Sequence, residues 1–515
     1  MNLPEQYRPL TVAGGIHLAA RRTPDKVALL EGSRSMVFAE LSARIGRVAR
    51  ALLHLGLERG SHVAVLAPNC LEYPEMVCGI ADAGLIAVTL NPRAHPREMS
   101  DVLVDSGARV LLLHPGFASQ DRELVAPALE RRIVIGEDYE RWLAAAPTSV
   151  PLPMLTEFDP FVLVYTSGTT GRAKGLLLPH RARSLLFFAK ALEYRCYGSD
   201  DKFLGIASMA LGAGFGFGMC VVYFGGCLEI LPSFDPATVL RKLSEDRFTG
   251  VFVVPSHLQA ILSLPASELD KYRGRTTSLR ALISNAAALP YSLKEKVVNY
   301  FGAGLLHETY GFTEAGVVTN LCPADQLCKP GSVGRAFPTV DVQLLDEQGQ
   351  PVKRGAVGEI FVSSPWLFNG YWQQPDETAA CTRNGYISAG DLARQDEDGC
   401  YYIVDRKKDM VVSGGLNIYP REIEEVLFLH PAVAEAAVIG VPDQTWGERL
   451  LSFIVARVGH APSAAELEAH CRAALAAYKV PREFKFIDEL PRNVSGKVLK
   501  RVLRERAACS APTTT

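Results

Sequence analysis

Three early runs, HVAVLA (62–67), LIAVTL (85–90) and ARVLLLH (108–114), are apolar on both faces, and stretches of helical periodicity such as Cys70–Ala83 separate them. A strand that is apolar on both faces has to be covered on both faces, so this alternation restricts the chain to a parallel sheet wrapped by helices. The same alternation returns between Asp201 and Ile283. After about Ser332 the pattern changes: VQLLDEQGQPVKRGAVGEIFV (342–362) holds short strand-like runs broken by Gly and Pro, which predicts a small antiparallel unit. The charged, glycine-rich stretch DRKKDMVVSGG (405–415) marks a hinge, and a compact α+β stretch follows it. Within that last part Pro420 opens one predicted helix, PREIEEVLFLH, and Ala464–Tyr478 is predicted as another. At 515 residues and 48% hydrophobic content, the chain is too long for one small core and is expected to divide into domains.

A net charge of only −2 gives no reason to expect nucleic acid or an anionic membrane surface as partner, so small molecules are expected. The eleven cysteines include no C-x-x-C, which argues for reduced thiols and against a disulfide framework or a structural zinc site. The opening MNLPEQYRPL lacks the basic and apolar segments of a secretion signal, so a cytoplasmic location is expected. Phe203–Leu228 carries no charge and is long enough to cross a bilayer, but its glycines favour a buried strand, turn and helix over a membrane helix. Nothing in the sequence speaks to oligomeric state.

The stretch YTSGTTGRAKG (165–175) packs four Ser/Thr hydroxyls, three glycines and two cations into eleven residues. It lies between the apolar runs FVLVY and GLLLPH, so it joins two strands; Ala173 before Lys174 departs from a Walker loop, which has Gly there and a helix after it. Glycine-rich turns expose backbone N–H groups, and Thr166, Ser167, Thr169 and Thr170 add hydroxyls, with Gly168 and Gly171 between them and Arg172 and Lys174 as cations. On the residues alone this is either a phosphate nest or a polar surface turn.

With TYGFTE (309–314), GDLARQDEDGCYYIVDRKKD (390–409), SGGLNIYPREIE (413–424) and PRNVSGKVLK (491–500) following in order, nearly the whole chain resembles the adenylate-forming enzymes, which include acyl-CoA synthetases, peptide-synthetase adenylation domains and beetle luciferases. The resemblance implies a large N-terminal domain over 1–405 with two doubly wound α/β sheets and a small antiparallel β unit, a hinge at 406–409 pivoting on Lys408, and a small mobile α+β domain over 410–515. It implies ATP and Mg²⁺ as cofactors and CoA as acceptor, with an amine or a carrier protein as the alternative. The 165–175 loop would hold pyrophosphate. Tyr310 and Gly311 would lie along adenine beside Ala286 and Ala287, Thr313 would bond a phosphate, and Glu314 would offer the hard oxygen that Mg²⁺ prefers. Asp391 would take the ribose hydroxyls, Arg406 the ribose or phosphate, and Lys497 would bridge acid and α-phosphate. Gly414 and Gly415 would clear a path for a pantetheine arm. Taken singly, Glu314 reads equally as a surface carboxylate, Asp391 as a turn residue and Lys497 as a solvated lysine.

Two departures matter. Glu308 stands where the family commonly has an amide next to adenine, and a carboxylate can still accept from the exocyclic amine. In SMALGAGFGFG (208–218), Leu211 replaces a common pocket His, and with Gly212 and Gly214 it predicts an apolar acyl-pocket wall short of side-chain volume. VPDQTWGERL (441–450) resembles the CoA ligases, so a hydrophobic carboxylic acid and CoA are the expected substrates.

Overall fold

The structure, a computed structural model, describes residues 7–166, 174–492 and 498–509. Two compact units emerge: Met1–Val342 with Val362–Ile387, and Gln343–Phe361 with Ser388–Thr515.

Among the described residues the first unit holds two large sheets, of seven and nine strands. In the smaller, His62–Leu66 lies between Ile86–Thr89 and Val110–Leu113, all parallel, and Pro160–Thr166 extends the sheet beside Ile86–Thr89. These are the runs that read as apolar on both faces, and every residue of His62–Leu66 is buried. Beyond Pro160–Thr166 the sheet turns antiparallel through Lys174–Pro179 and Gly370–Tyr371, so the glycine-rich loop does join two paired strands. The nine-stranded sheet is built around parallel strands Lys202–Gly205, Cys227–Ile230, Gly250–Val253, Ala281–Ser284 and Leu306–Phe312, with Gly316–Leu321 returning antiparallel. The covering helix expected at Cys70–Ala83 runs Glu72–Asp82 and is buried along its whole length.

The uncharged stretch resolves into strand Lys202–Gly205, helix Gly212–Tyr223 and strand Cys227–Ile230. Among the described residues, no helix is long and apolar enough to cross a membrane.

In the second unit Gly358 and Glu359 pair antiparallel with Asp391–Gln395, which pairs antiparallel with Tyr401–Arg406, as the 342–362 pattern predicts. A separate sheet pairs Val433–Asp443 with Gly447–Ala456 and buries Val438, Ile454 and Val411 against the helices Pro420–Phe428 and Ala464–Ala474 through Ile423, Leu427 and Leu467. The second predicted helix stops at Ala474 and not at Tyr478, because Leu475 turns extended (φ −120°, ψ 152°) and packs on this core.

Candidate active site

In the first unit Ala281–Ser284 ends at Asn285, whose amide donates to Thr309 O (2.9 Å) and Thr309 Oγ1 (2.6 Å) on the neighbouring strand. The clamp leads into Ala286 at φ +78°, the left-handed region. A residue with a Cβ pays about 1–2 kcal/mol there, and strain of this kind collects at binding sites. Ala286 and Ala287 are exposed, so the strand end carries a ledge of methyl groups. Glu308, one strand over, is buried: Oε2 pairs with the buried Lys294 Nζ at 2.6 Å, and Oε1 accepts from Leu289 N at 3.0 Å. Its carboxylate thus anchors the far end of the ledge inside the fold, an engagement that the expected adenine contact would have to share.

Tyr310 and Gly311 straddle a register shift against Gly316–Leu321. Gly311 is required by close approach, because a Cβ would fall 1.9 Å from Gly316 O. The pinched hairpin carries Thr313 and Glu314 in its turn. Glu314 Oε1 accepts from Tyr371 O–H at 2.6 Å, and its carbonyl accepts from Phe368 N at 3.0 Å. Tyr371 sits on the short strand paired with Lys174–Pro179, and Lys174 Nζ lies 5.3 Å from the Tyr371 ring centre and 2.6 Å from Glu377 Oε2. Burial, then the Glu314 carboxylate, pushes the Tyr371 phenol up, so it remains a donor. Thr166 stands opposite Lys174 at the base of the loop. The structure therefore joins Lys174 to Glu314 through Tyr371, which sequence reasoning missed along with Glu377. The stretch around them has no diagnostic spacing: strand pairing brings Tyr371 in, and Glu377 follows on the helix Pro375–Cys381. Ser167, Gly168, Thr169, Thr170, Gly171 and Arg172 lie outside the described residues, as does Lys497.

In the second unit Asp391 and Arg406 face each other across paired strands, and Arg406 Nε lies 3.0 Å from the buried Asp391 Oδ1. The Gly390 carbonyl accepts from Lys407 N at 2.8 Å. Around Lys408, Asp405 accepts from Arg406 N and Arg421 N, and Asp409 pairs with Arg504 at 2.8 Å. The Arg504 hydrogen bond and nearby cations outweigh burial and hold the Asp409 carboxyl below its ordinary value. Gly414 (φ +59°) and Gly415 (φ +80°) form the two-residue turn between Val411–Ser413 and Leu416–Ile418, a geometry with both φ positive that glycine supplies. A Cβ on Gly414 would meet Trp446 Cε3 at 2.8 Å, whereas Gly415 faces open space.

A cavity in the first unit is lined by Thr89, Phe161, Val164, Arg183, Gly212 and Phe215, among others. Of the expected acyl-pocket residues, Gly212 borders it and Leu211 precedes the helix as its cap. Gly214 does not open space, because a Cβ there would lie 2.1 Å from Ser208 O. Nor is the wall purely apolar: Cβ atoms on Gly212 and Gly216 would lie 2.8 and 3.0 Å from the Arg183 guanidinium. The glycines that read as empty volume make room for backbone and for a cation.

Residues 16–372 match the AMP-binding enzyme family, and residues 422–497 match the AMP-binding enzyme C-terminal domain. A feruloyl-CoA synthase from an Amycolatopsis species is 38% identical over 494 residues, covering 95% of this chain and 97% of that protein. Among solved structures, ATP-bound MatB from Rhodopseudomonas palustris matches with a TM-score of 0.89 at 29% identity, over 97% of this chain and 99% of that one. The amide bond synthetase McbA from Marinactinospora thermotolerans matches with a TM-score of 0.86 at 28% identity, over 96% and 99%.

Proposed function

The chain belongs to the AMP-binding enzyme family, and we propose that it activates a hydrophobic carboxylic acid with ATP and passes the acyl group to CoA. The observation that carries this reading is the contact chain from Lys174 through Tyr371 to Glu314, together with the strained ledge at Ala286. It gathers a cation for phosphate, an oriented carboxylate and a flat surface for a base within one unit.

In the first step a carboxylate oxygen attacks the α-phosphorus, the bond to the bridging oxygen breaks, and pyrophosphate leaves with the electron pair. Lys174, Thr166 and the loop residues Ser167 to Gly171 are assigned the departing phosphates, Thr313 a phosphate oxygen, and Tyr310 with Gly311, Ala286 and Ala287 the adenine. Asp391, held by Arg406, is assigned the ribose hydroxyls. Lys497 is assigned the bridge between the incoming carboxylate and the α-phosphate, where negative charge accumulates. The donor set suits Mg²⁺ held largely by nucleotide phosphates, since Glu314 adds one hard carboxylate whose Oε1 is already oriented by Tyr371. When bound, such an ion offsets phosphate charge. In the second step the CoA thiolate attacks the acyl carbon and AMP leaves, with Lys408 as pivot between the steps and Gly414 and Gly415 beside the acceptor's path.

Pyrophosphate release measured across aromatic, alicyclic and fatty acids tests the first step, and product analysis with CoA, amines and a carrier protein tests the second. Acid-dependent release with accumulation of an acyl-CoA is expected. Amide formation with no thioester would favour the second reading, supported by the likeness to an amide bond synthetase. Absence of release with every acid would overturn both.

A further inference from the structure

In the second unit one carboxylate that the reaction above does not use closes a ring of hydrogen bonds around the segment assigned to ribose. Glu359 lies opposite Leu392 on the paired strand, next to Asp391. Its Oε1 accepts from the Ser388 hydroxyl at 2.7 Å, and its Oε2 accepts from Lys407 Nζ at 2.9 Å. Ser388, which is buried, in turn accepts from Gly390 N at 3.0 Å, and the Gly390 carbonyl accepts from Lys407 N at 2.8 Å. The bonds run from Glu359 to Ser388, Gly390, Lys407 and back to Glu359. Both the N–H and the carbonyl of Gly390 are therefore held, at a φ of +78°.

This ring brackets the carboxylate that the reaction assigns to ribose. Asp391 follows Gly390, Arg406 precedes Lys407, and Arg406 Nε lies 3.0 Å from Asp391 Oδ1. The Lys407 side chain is 55% exposed, and an ion pair so close to water adds little to stability. What the ring supplies is orientation. Bonds to an ionised acceptor are stronger than those between neutral groups, and a binding side chain keeps its working geometry only when the bonds behind it are made. With Gly390 held on both sides, the backbone from which the Asp391 side chain departs has a fixed direction.

We propose that Glu359 is a positioning residue: through Ser388 and Lys407 it fixes the Gly390–Asp391 peptide so that the Asp391 carboxylate meets the ribose hydroxyls of ATP. The inference rests on the acid-activating reading above and adds to its ribose site a residue that does not itself touch the nucleotide.

The test compares wild type with Glu359→Gln, Ser388→Ala and Lys407→Met on ATP, 2′-deoxy-ATP and 3′-deoxy-ATP. Glu359→Gln keeps the shape of the side chain and removes the charge that Ser388 and Lys407 share. Pyrophosphate release with a saturating acid gives kcat and KM for each nucleotide, calorimetry gives nucleotide binding directly, and thermal melts give stability. Wild type should prefer ATP to both deoxy analogues. Glu359→Gln should raise KM for ATP about 10-fold, the scale of one hydrogen bond to a charged group, with kcat and Tm little changed. Its KM for at least one deoxy analogue should move far less, so that the preference for ATP shrinks. Ser388→Ala should behave in the same way, and Lys407→Met more mildly, because its backbone N–H still holds Gly390. A purely structural defect would lower Tm and penalise the three nucleotides alike. Equal loss on all three, unchanged kinetics in both Glu359→Gln and Ser388→Ala, or a wild type indifferent to the ribose hydroxyls would overturn the proposal. If Glu359→Gln does not fold, Ser388→Ala decides by the same criteria. If no acid releases pyrophosphate, the activation reading fails and calorimetry decides the positioning role: weaker and less ribose-selective binding of ATP by Glu359→Gln sustains it, and equal binding of the three nucleotides by wild type, or none, overturns it.

Discussion

Lys190 titrates where few lysines do, because burial pulls its ammonium from 10.5 down to about 7. Between those values the unfolded chain binds more protons than the folded one, so this residue makes stability rise as pH climbs from about 7 to 10.5. Lys190→Met should flatten that slope in urea midpoints measured across the window, and an unchanged slope would place the titrating group elsewhere. Lys497 is proposed to bear on chemistry instead. Lys497→Ala should slow acyl-adenylate formation by about 10²–10³-fold, as expected for loss of a charge contact made in the transition state. Thiolysis of a supplied acyl-adenylate should survive, and equal damage to both half-reactions would count against the role. The two lysines also show what a sequence can rank. Lys497 stood out because it sits in a recognisable motif, whereas no local pattern marks Lys190 and Arg183, whose surroundings come from packing against the glycine helix.

At the scale of elements, the hairpin of Leu306–Phe312 and Gly316–Leu321 is the piece on which the proposed nucleotide site depends. Its strands approach so closely at Gly311 that one methyl group has no room. Gly311→Ala should therefore cost about 1–3 kcal/mol of stability, the usual range for overpacking, and weaken ATP use by moving the turn that holds Glu314. Gly304→Ala, with nothing within 4 Å of the new Cβ, serves as the control and should be neutral in both unfolding and pyrophosphate assays. Normal ATP use by Gly311→Ala would show that the hairpin can relax without displacing the site. The alternation of buried strands and helices was legible because burial on both faces leaves no polar side to a strand. The end of the helix at Ala474 was not, because Leu475 leaves the helix to reach a core built from residues distant in sequence. Tyr371 was hidden for the same reason: its place beside Lys174 and Glu314 comes from pairing with a strand nearly two hundred positions earlier.

At the scale of the whole molecule, the proposed two-step reaction needs the segment around Lys408 to change conformation between steps. Asp405 and Asp409 on either side are held by Arg421 N and Arg504, while among the described residues Lys408 makes no side-chain hydrogen bond or ion pair. Lys408→Pro, which locks φ near about −65°, should impair one half-reaction far more than the other. Stopped-flow measurement of adenylate formation and of thioester formation, taken separately, checks this, and wild-type rates in both would remove Lys408 as the pivot. By itself the sequence determined the class of fold, the order of the motifs and the chemistry their residue types permit, because hydrophobic period and turn chemistry are local properties of the chain. Tertiary structure alone decided which groups meet. It committed Glu308 to Lys294, linked Lys174 to Glu314 through Tyr371, and turned a run of glycines that read as open space into the seat of the Arg183 guanidinium. Contacts of that kind depend on strand order and helix packing across long stretches of chain, which no local pattern encodes.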